Sequence, residues 1–508
     1  MDLEDIKSPL PPRRVSIQTE PEPEEKQVLE IPEDRLNPQE TTVFSETKLK
    51  NESKLAWVKN KWVMRGVVVV LVLIIGLGGF KIIGNKKAIT ETVTLNYWGL
   101  WEDPSVMNTI ISDFESKNPG IKVNYKRGQR TDYRTRLTSK LTKTSNGDED
   151  VDVFRFHNTW IPMMKDYLEP VPTETATAIG LENDFLDIYK NDLKLNGKWV
   201  SVPIMYDGLA LFYNKELLNK AGLPIPDDWW ELRESAIKLT QKNEDGKIMV
   251  AGAALGLANV NVDHWSDIVG LMMKQNNINL AKISSTSTDE NLEDVLKFYA
   301  SFAKSVSNVW DSSLPNSTSL FAAGKLAFYF GPSWRVFDLQ NLNKDLDYGI
   351  TTVPQLPTLG VTSTDSTQLT DNHCASYWTE GVNNKSRHKE AGWKFLEYLS
   401  SVEALEKMYT AESQLRSFGE IYPRKSMSEK LKSNEKVWPF LSVANKASSW
   451  YLASETGDEG VNTEMQKYFT DAINGLSGTS GSATETTEII TRLKNGIAQL
   501  QKKYNLTK

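Results

Sequence analysis

Cysteine is almost missing from this chain: Cys374 is the single one in 508 residues. One thiol can close no intrachain disulfide and form no C-x-x-C pair. Cys374 also lies far from the position, just after a short N-terminal signal, that a lipid-anchored cysteine would occupy. No His/Cys cluster at metal-ligand spacing is present, and no glycine-rich loop of the kind that cradles phosphate. Positive charge is not in surplus: 59 Lys and Arg stand against 66 Asp and Glu, a formal charge of -7. Phosphate backbones call for a basic footprint, so nucleic acid is not expected as a partner. No metal or other cofactor is expected.

What the chain does have is length, apolar content and a strongly uneven layout. At 508 residues with 39% apolar and 10% aromatic side chains, it exceeds one compact core, and more than one domain is expected. Residues 1–60 carry stretches such as Ser8-Pro-Leu-Pro-Pro-Arg-Arg and Glu20-Pro-Glu-Pro-Glu-Glu. Such segments cannot bury enough apolar surface to offset their ordering entropy, so this part reads as a disordered tail.

Residues 62–84 are the opposite. From Gly66 to Ile83, thirteen side chains are Val, Leu, Ile or Phe, and the stretch reaches the ~20 residues that cross a bilayer. Each such residue favours insertion by ~0.3–0.6 kcal/mol, and Lys81 lies near enough to the end to snorkel. Lys48, Lys50, Lys54, Lys59, Lys61 and Arg65 precede the span, while Lys81, Lys86 and Lys87 are the near basic residues at its far end. The positive-inside rule then puts the tail in the cytoplasm and the rest outside, tethered by a short linker at 85–91. The expected location is the cell membrane, single-pass, with an extracytoplasmic domain.

After residue 91 the pattern alternates. Val93-Thr-Leu-Asn-Tyr-Trp has strand period, and Ser105 to Lys117 places Met107, Ile110, Ile111 and Phe114 on one helical face before Asn118-Pro-Gly stops it. Ile121-Lys-Val-Asn-Tyr and Val151-Asp-Val-Phe read as further strands. The alternation predicts an α/β fold around a parallel sheet, with ligand collecting at the carboxyl ends of the strands. Asp228-x-x-Glu231 has capping-box spacing for a helix start.

The segment Asn196-Gly-Lys-Trp-Val-Ser-Val-Pro-Ile-Met-Tyr-Asp-Gly-Leu-Ala-Leu-Phe-Tyr-Asn-Lys-Glu-Leu-Leu, followed by Lys220-Ala-Gly-Leu-Pro-Ile-Pro-Asp-Asp-Trp-Trp-Glu-Leu, closely resembles the signature of the family-1 extracellular solute-binding proteins of ABC transporters. Leu320-Phe-Ala-Ala-Gly-Lys-Leu-Ala-Phe-Tyr-Phe-Gly-Pro-Ser-Trp, Tyr348-Gly-Ile-Thr-Thr-Val-Pro and Ala391-Gly-Trp-Lys-Phe-Leu-Glu-Tyr-Leu resemble later family motifs, in the family's order. Asp228 stands where the family usually has Thr, and both residues cap helices.

The resemblance implies a two-lobed periplasmic-binding-protein (Venus-flytrap) fold that closes on ligand by hinge bending. Lobe one is expected at 91–206 and 372–430, and lobe two at 207–371 and 431–508, with crossovers near Pro203–Asp207 and Leu369–Cys374. The implied function is capture of a carbohydrate, an oligosaccharide in expectation, for delivery to the permease subunits of an ABC importer. A monomer and no enzymatic activity are expected. The alternatives are a ligand-sensing receptor signalling through the tail, and a glycoside-active enzyme.

Sugar recognition uses flat aromatic faces and a few planar polar groups. After the first strand stand Trp98, Trp101, Glu102 and Asp103; after the third stand Phe156, Asn158 and Trp160, with His157 read as a structural histidine. Tyr206 and Asp207 lie at the first crossover, and the resemblance places sugar hydroxyls there. Trp334 matches a tryptophan that stacks on sugar in maltose-binding relatives. Tyr377 and Trp378, beside Ser376, follow the return crossover, and Trp450, beside Tyr451, is a late aromatic. The basic stretch from Lys126 to Arg136 reads as a solvated helix face.

Overall fold

The computed structural model describes residues 92–142, 150–258, 261–283, 290–304, 307–356, 369–478 and 482–506. The tail, the apolar span and the linker expected at 1–91 lie outside the described residues. No helix among the described residues is long and apolar enough to cross a membrane.

Two five-stranded sheets organise the molecule. In the first, Val93–Gly99 runs parallel to Ile121–Arg127 on one side, in register from Val93↔Ile121 to Gly99↔Arg127, and to Val153–His157 on the other. From Leu95 onward Val93–Gly99 is buried on both faces, as a central strand covered by helices must be. Trp378–Val382 then adds antiparallel to Val153–His157 with Trp378 opposite His157, and Val202–Pro203 closes the order. The carboxyl ends of Val93–Gly99 and Val153–His157 and the start of Trp378–Val382 therefore share one edge. The second sheet has the order Tyr348–Thr351, Ala210–Asn214, Leu326–Gly331, Ile248–Ala253, Gln241–Lys242. Gly331 pairs with Ala210, which puts the exit of one strand beside the entry of the other.

The sheets are mixed, not parallel throughout as the alternation predicted. Strands that re-enter a sheet after a visit to the other arrive from the opposite direction, and local periodicity carries no trace of that. Val153–His157 also begins two residues later than expected.

Helix ends follow their local chemistry. Pro104–Lys117 is capped by Asp103, whose Oδ1 accepts from the Ser105 amide at 2.9 Å, and buries Val106, Met107, Ile110, Ile111 and Phe114. Each such side chain contributes ~1.5–3 kcal/mol when fully buried. Trp229–Leu239 starts on Asp228, which accepts from the amides of Trp230 and Glu231 at 2.8 Å. The Glu231 carboxylate reaches back to the Asp227 amide at 3.0 Å, one residue earlier than a strict capping box.

Three segments link the sheets side by side. Gly208 bridges Ala375, the Ser376 amide donates to Asp207 at 3.1 Å, and Cys374 pairs with Ser448 in parallel. A Cβ on Gly208 would lie 2.6 Å from the Cys374 carbonyl oxygen, so only glycine lets the first two segments approach this closely.

Candidate functional site

The two sheet edges face each other across the crossover segments and enclose a cavity of about 270 Å³. On the first-sheet side the floor is Trp378, 8% exposed. Its ring makes edge contacts with Trp101, His157 and Trp160 at centroid distances of 5.4, 5.2 and 5.3 Å. Trp101, half-buried, lines the cavity beside it. Opposite, the Gly331-Pro-Ser-Trp turn that leaves the second sheet supplies Trp334, half-buried, with its ring 5.7 Å from that of His264.

The mouth is spanned by contacts from both sides. Phe337 meets Phe418 at 4.6 Å, the Arg416 guanidinium lies 4.8 Å from the Phe337 ring, and Arg130 pairs with Glu455. Ser417 donates to Gln340.

Asp207 holds the centre. It is 4% exposed, and its carboxylate accepts from the Gly208 amide at 2.7 Å and from the Ser333 amide and hydroxyl, each at 3.0 Å. The carboxylate thus ties the first crossover to the turn that carries Trp334. Burial pushes its pKa up to about 7, against the lowering by those three donors. His157 moves the other way: burial pulls it down to about 4, so it is neutral at pH 7. The Thr159 amide donates to its Nδ1 at 3.3 Å, which assigns the proton to Nε2, 3.0 Å from the Ser376 hydroxyl. Burial also lowers His264, whose Nε2 accepts from Arg335 at 2.9 Å.

Both arginines of the wall, Arg130 and Arg416, are paired with carboxylates. Arg130 faces Glu455, Arg416 faces Glu420 at 2.7 Å, and Asp338 faces Arg335 at 2.8 Å. Asp267 accepts from the Ser454 amide at 3.0 Å and from its hydroxyl. A cavity so lined offers aromatic rings and hydrogen-bonding groups, and among the described residues its two arginines are already paired, which leaves neither uncommitted for an anionic ligand.

The structure brings Trp101, Asp207, Trp334 and Trp378 to this cavity, together with His157 and Ser376. The other residues singled out in the sequence are engaged elsewhere. Trp98 lies under Lys126, whose ammonium is 4.9 Å from its ring, and Glu102 pairs with Arg155 inside the first sheet's core. Asp103 caps its helix, and Phe156 is a fully buried strand residue against Phe154. Trp160 supports Trp378 from below, and Tyr206 is buried with its amide on the Ile421 carbonyl. Asn158 and the Tyr377 hydroxyl both donate to Asp192, at 3.2 and 2.8 Å. Trp450 lines a different cavity, beyond Ser448.

Sequence reasoning missed Arg130, His264, Phe337, Arg416, Phe418 and Glu455. Arg130 sits in the basic stretch read as a helix face, but it precedes the helix Tyr133–Thr142 and turns into the cavity. Phe418 and Glu455 come from loops after helices, where no strand-end rule points. Glu102, Glu412 and Glu420 bring oxygens within 4.8 Å of one another.

Residues 109–437 match the family described as bacterial extracellular solute-binding protein. The chain belongs to that family. It is 24% identical over 300 residues to a putative binding protein of Brucella abortus, a match covering 56% of this chain and 66% of that protein. It is 22% identical over 344 residues to the multiple sugar-binding protein of Streptococcus mutans, 65% of this chain and 77% of that one. Among solved structures, the GacH receptor of Streptomyces glaucescens, determined unliganded and with acarbose, superposes with a TM-score of 0.59 at 20% identity, covering 82% of this chain and all (100%) of that chain. A cyclo/maltodextrin-binding protein complexed with maltotetraose does so at 0.59 and 16% identity, over 82% and 98% of the two chains. These structures share the two-lobed α/β fold. The relatives are binding proteins, not enzymes, so the glycoside-active reading is set aside.

Proposed function

We propose that the chain captures a neutral carbohydrate in the cavity between its sheets and presents it to the permease of an ABC importer. The observation that carries this reading is the wall itself: the indoles of Trp101, Trp334 and Trp378 line it together with two arginines already paired with carboxylates. Flat apolar faces suit the C–H surfaces of a sugar, and buried neutral donors and acceptors suit its hydroxyls. Glycerol phosphates, which want an uncommitted cation, fit poorly. At about 270 Å³ the cavity lies just under the ~300–1,000 Å³ common for ligand sites. That favours a monosaccharide or a short oligosaccharide over a long chain.

Lobe one at 91–206 with 372–430, and lobe two at 207–371 with 431–508, fit the strand membership of the two sheets, and closure by bending at the crossovers fits the contacts spanning the mouth. The apolar span 62–84, basic residues on its N-terminal side, supports a single-pass tether with a cytoplasmic tail and an external domain. A tag at Met1 is then spared when protease is added to intact spheroplasts, while the domain is digested; a digested tag would reverse that orientation.

The functional test is thermal unfolding of the full chain against a panel of neutral mono- and oligosaccharides and glycerol phosphates. A ligand at 100 times its Kd stabilises by ~2.7 kcal/mol. A shift with at least one neutral sugar is expected; a shift confined to the phosphates would contradict the reading.

A further inference from the structure

We infer that Glu102, Glu412 and Glu420 form a binding site for a divalent cation, calcium by its chemistry, in the wall beside the cavity. The three carboxylates come from distant parts of the chain, yet each brings an oxygen within 4.8 Å of the other two. Glu102 and Glu412 are 2% and 4% exposed, and Glu420 lines the cavity, which gives an ion a route in.

The second observation is an orphaned oxygen. Glu102 Oε1 accepts from Arg155 Nη1, while Oε2 is buried with no hydrogen-bond partner. An unsatisfied buried acceptor costs ~1–3 kcal/mol, more when charged. Arg155 reaches Glu102 through Nη1 and Glu380 through Nε at 2.6 Å, and its Nη2 finds no partner, so the guanidinium leaves Glu102 Oε2 unsatisfied.

Charge makes the same demand. Glu102, Glu380, Glu412 and Glu420 form a contiguous group with Arg155 and Arg416, the latter at 2.9 Å from Glu412 and 2.7 Å from Glu420. Four carboxylates against two guanidiniums leave two negative charges, and one divalent cation cancels them.

Calcium accepts six to eight oxygens at ~2.3–2.6 Å, so ligands on opposite sides of the ion stand ~4.6–5.2 Å apart. Separations of no more than 4.8 Å among the three carboxylate oxygens are compatible with one shared ion. Carboxylates each offer several lone pairs, and Arg416 occupies only some of those on Glu412 and Glu420. Water from the cavity completes the shell.

The test is calcium titration of the full chain by calorimetry, without carbohydrate, so that its outcome is independent of the sugar reading. Terbium luminescence sensitised by nearby Trp101 reports the same site. Saturable one-to-one binding is expected, with calcium displacing terbium. Glu420→Gln, on the less buried carboxylate, is expected to weaken calcium tenfold or more, and Glu102→Gln by at least as much, with folding checked by thermal unfolding. No binding at millimolar calcium would overturn the site. So would calcium affinity that is unchanged in Glu420→Gln, a variant that keeps the fold even if Glu102→Gln does not.

Discussion

Two cavities abut the crossover segments, and they differ in kind. One, about 270 Å³, meets the Asp207–Gly208 edge and is walled by indole rings. The other, about 460 Å³, meets the Ser448 edge and is bordered by Asn158, Asp192, Lys274, Asn277, Ser449 and Trp450. The larger space has the weaker chemistry for recognition. Its central carboxylate, Asp192, accepts from the Tyr377 hydroxyl, Asn158 and the Ser449 hydroxyl, and so ties chain segments together. The smaller space is lined by three indoles, and both of its arginines are paired. Volume alone would choose the other side of the crossover from the proposed site.

The comparison breaks first at Trp378, the floor of the smaller cavity. Trp378→Ala removes the ring on which Trp101, His157 and Trp160 rest, and a loss of ~3–5 kcal/mol of unfolding stability in denaturant titration is expected. A loss under ~1 kcal/mol would mean that the aromatic floor does not hold the site together.

Trp334→Ala tests recognition separately. The side chain is half-buried and lines the cavity, so carbohydrate affinity by calorimetry is expected to fall by ~1–3 kcal/mol, with little change in ligand-free stability. A large stability loss with affinity kept would return Trp334 to a packing role.

Much of this arrangement was legible before the structure. A strand end in an α/β pattern pointed to Trp101, and the family resemblance pointed to Asp207, Trp334 and, through the return crossover, Trp378. Proximity to a strand end could not separate neighbours, because successive residues leaving a strand face opposite ways: Trp101 reaches the cavity, while Glu102 turns to Arg155 and Asp103 to the helix start. The mouth was invisible to sequence reasoning. Phe337, Phe418 and Arg416 meet only when the two sheets come together, and no local period encodes that encounter.

Asp207→Asn probes the tie between crossover and turn. An amide presents hydrogens where the Gly208 and Ser333 donors already point, at a cost of ~1–3 kcal/mol. The substitution also carries a pH signature. The Asp207 carboxyl moves from its ordinary 3.8 to about 7 on folding, so the folded state binds the extra proton between those values. The stability it contributes is complete below about pH 4 and is lost as pH rises through 7. Glu380, raised to about 7, has the same sign. Unfolding temperature is therefore expected to fall across pH 5 to 8, and to fall less steeply in Asp207→Asn; an equal slope in both proteins would remove Asp207 from the account.

The smallest effect is expected at the other cavity. Trp450→Ala should leave carbohydrate affinity within about twofold of the parent, since its ring borders the larger space and packs near Gly270.

Oxidative footprinting of the full chain, read at individual tryptophans by mass spectrometry with and without a stabilising carbohydrate, tests the central assignment most directly. Protection of Trp101 and Trp334 with an unchanged rate at Trp450 is the expected result. Protection at Trp450 with Trp334 still open to oxidation would place the ligand on the wrong side of the crossover and contradict the account.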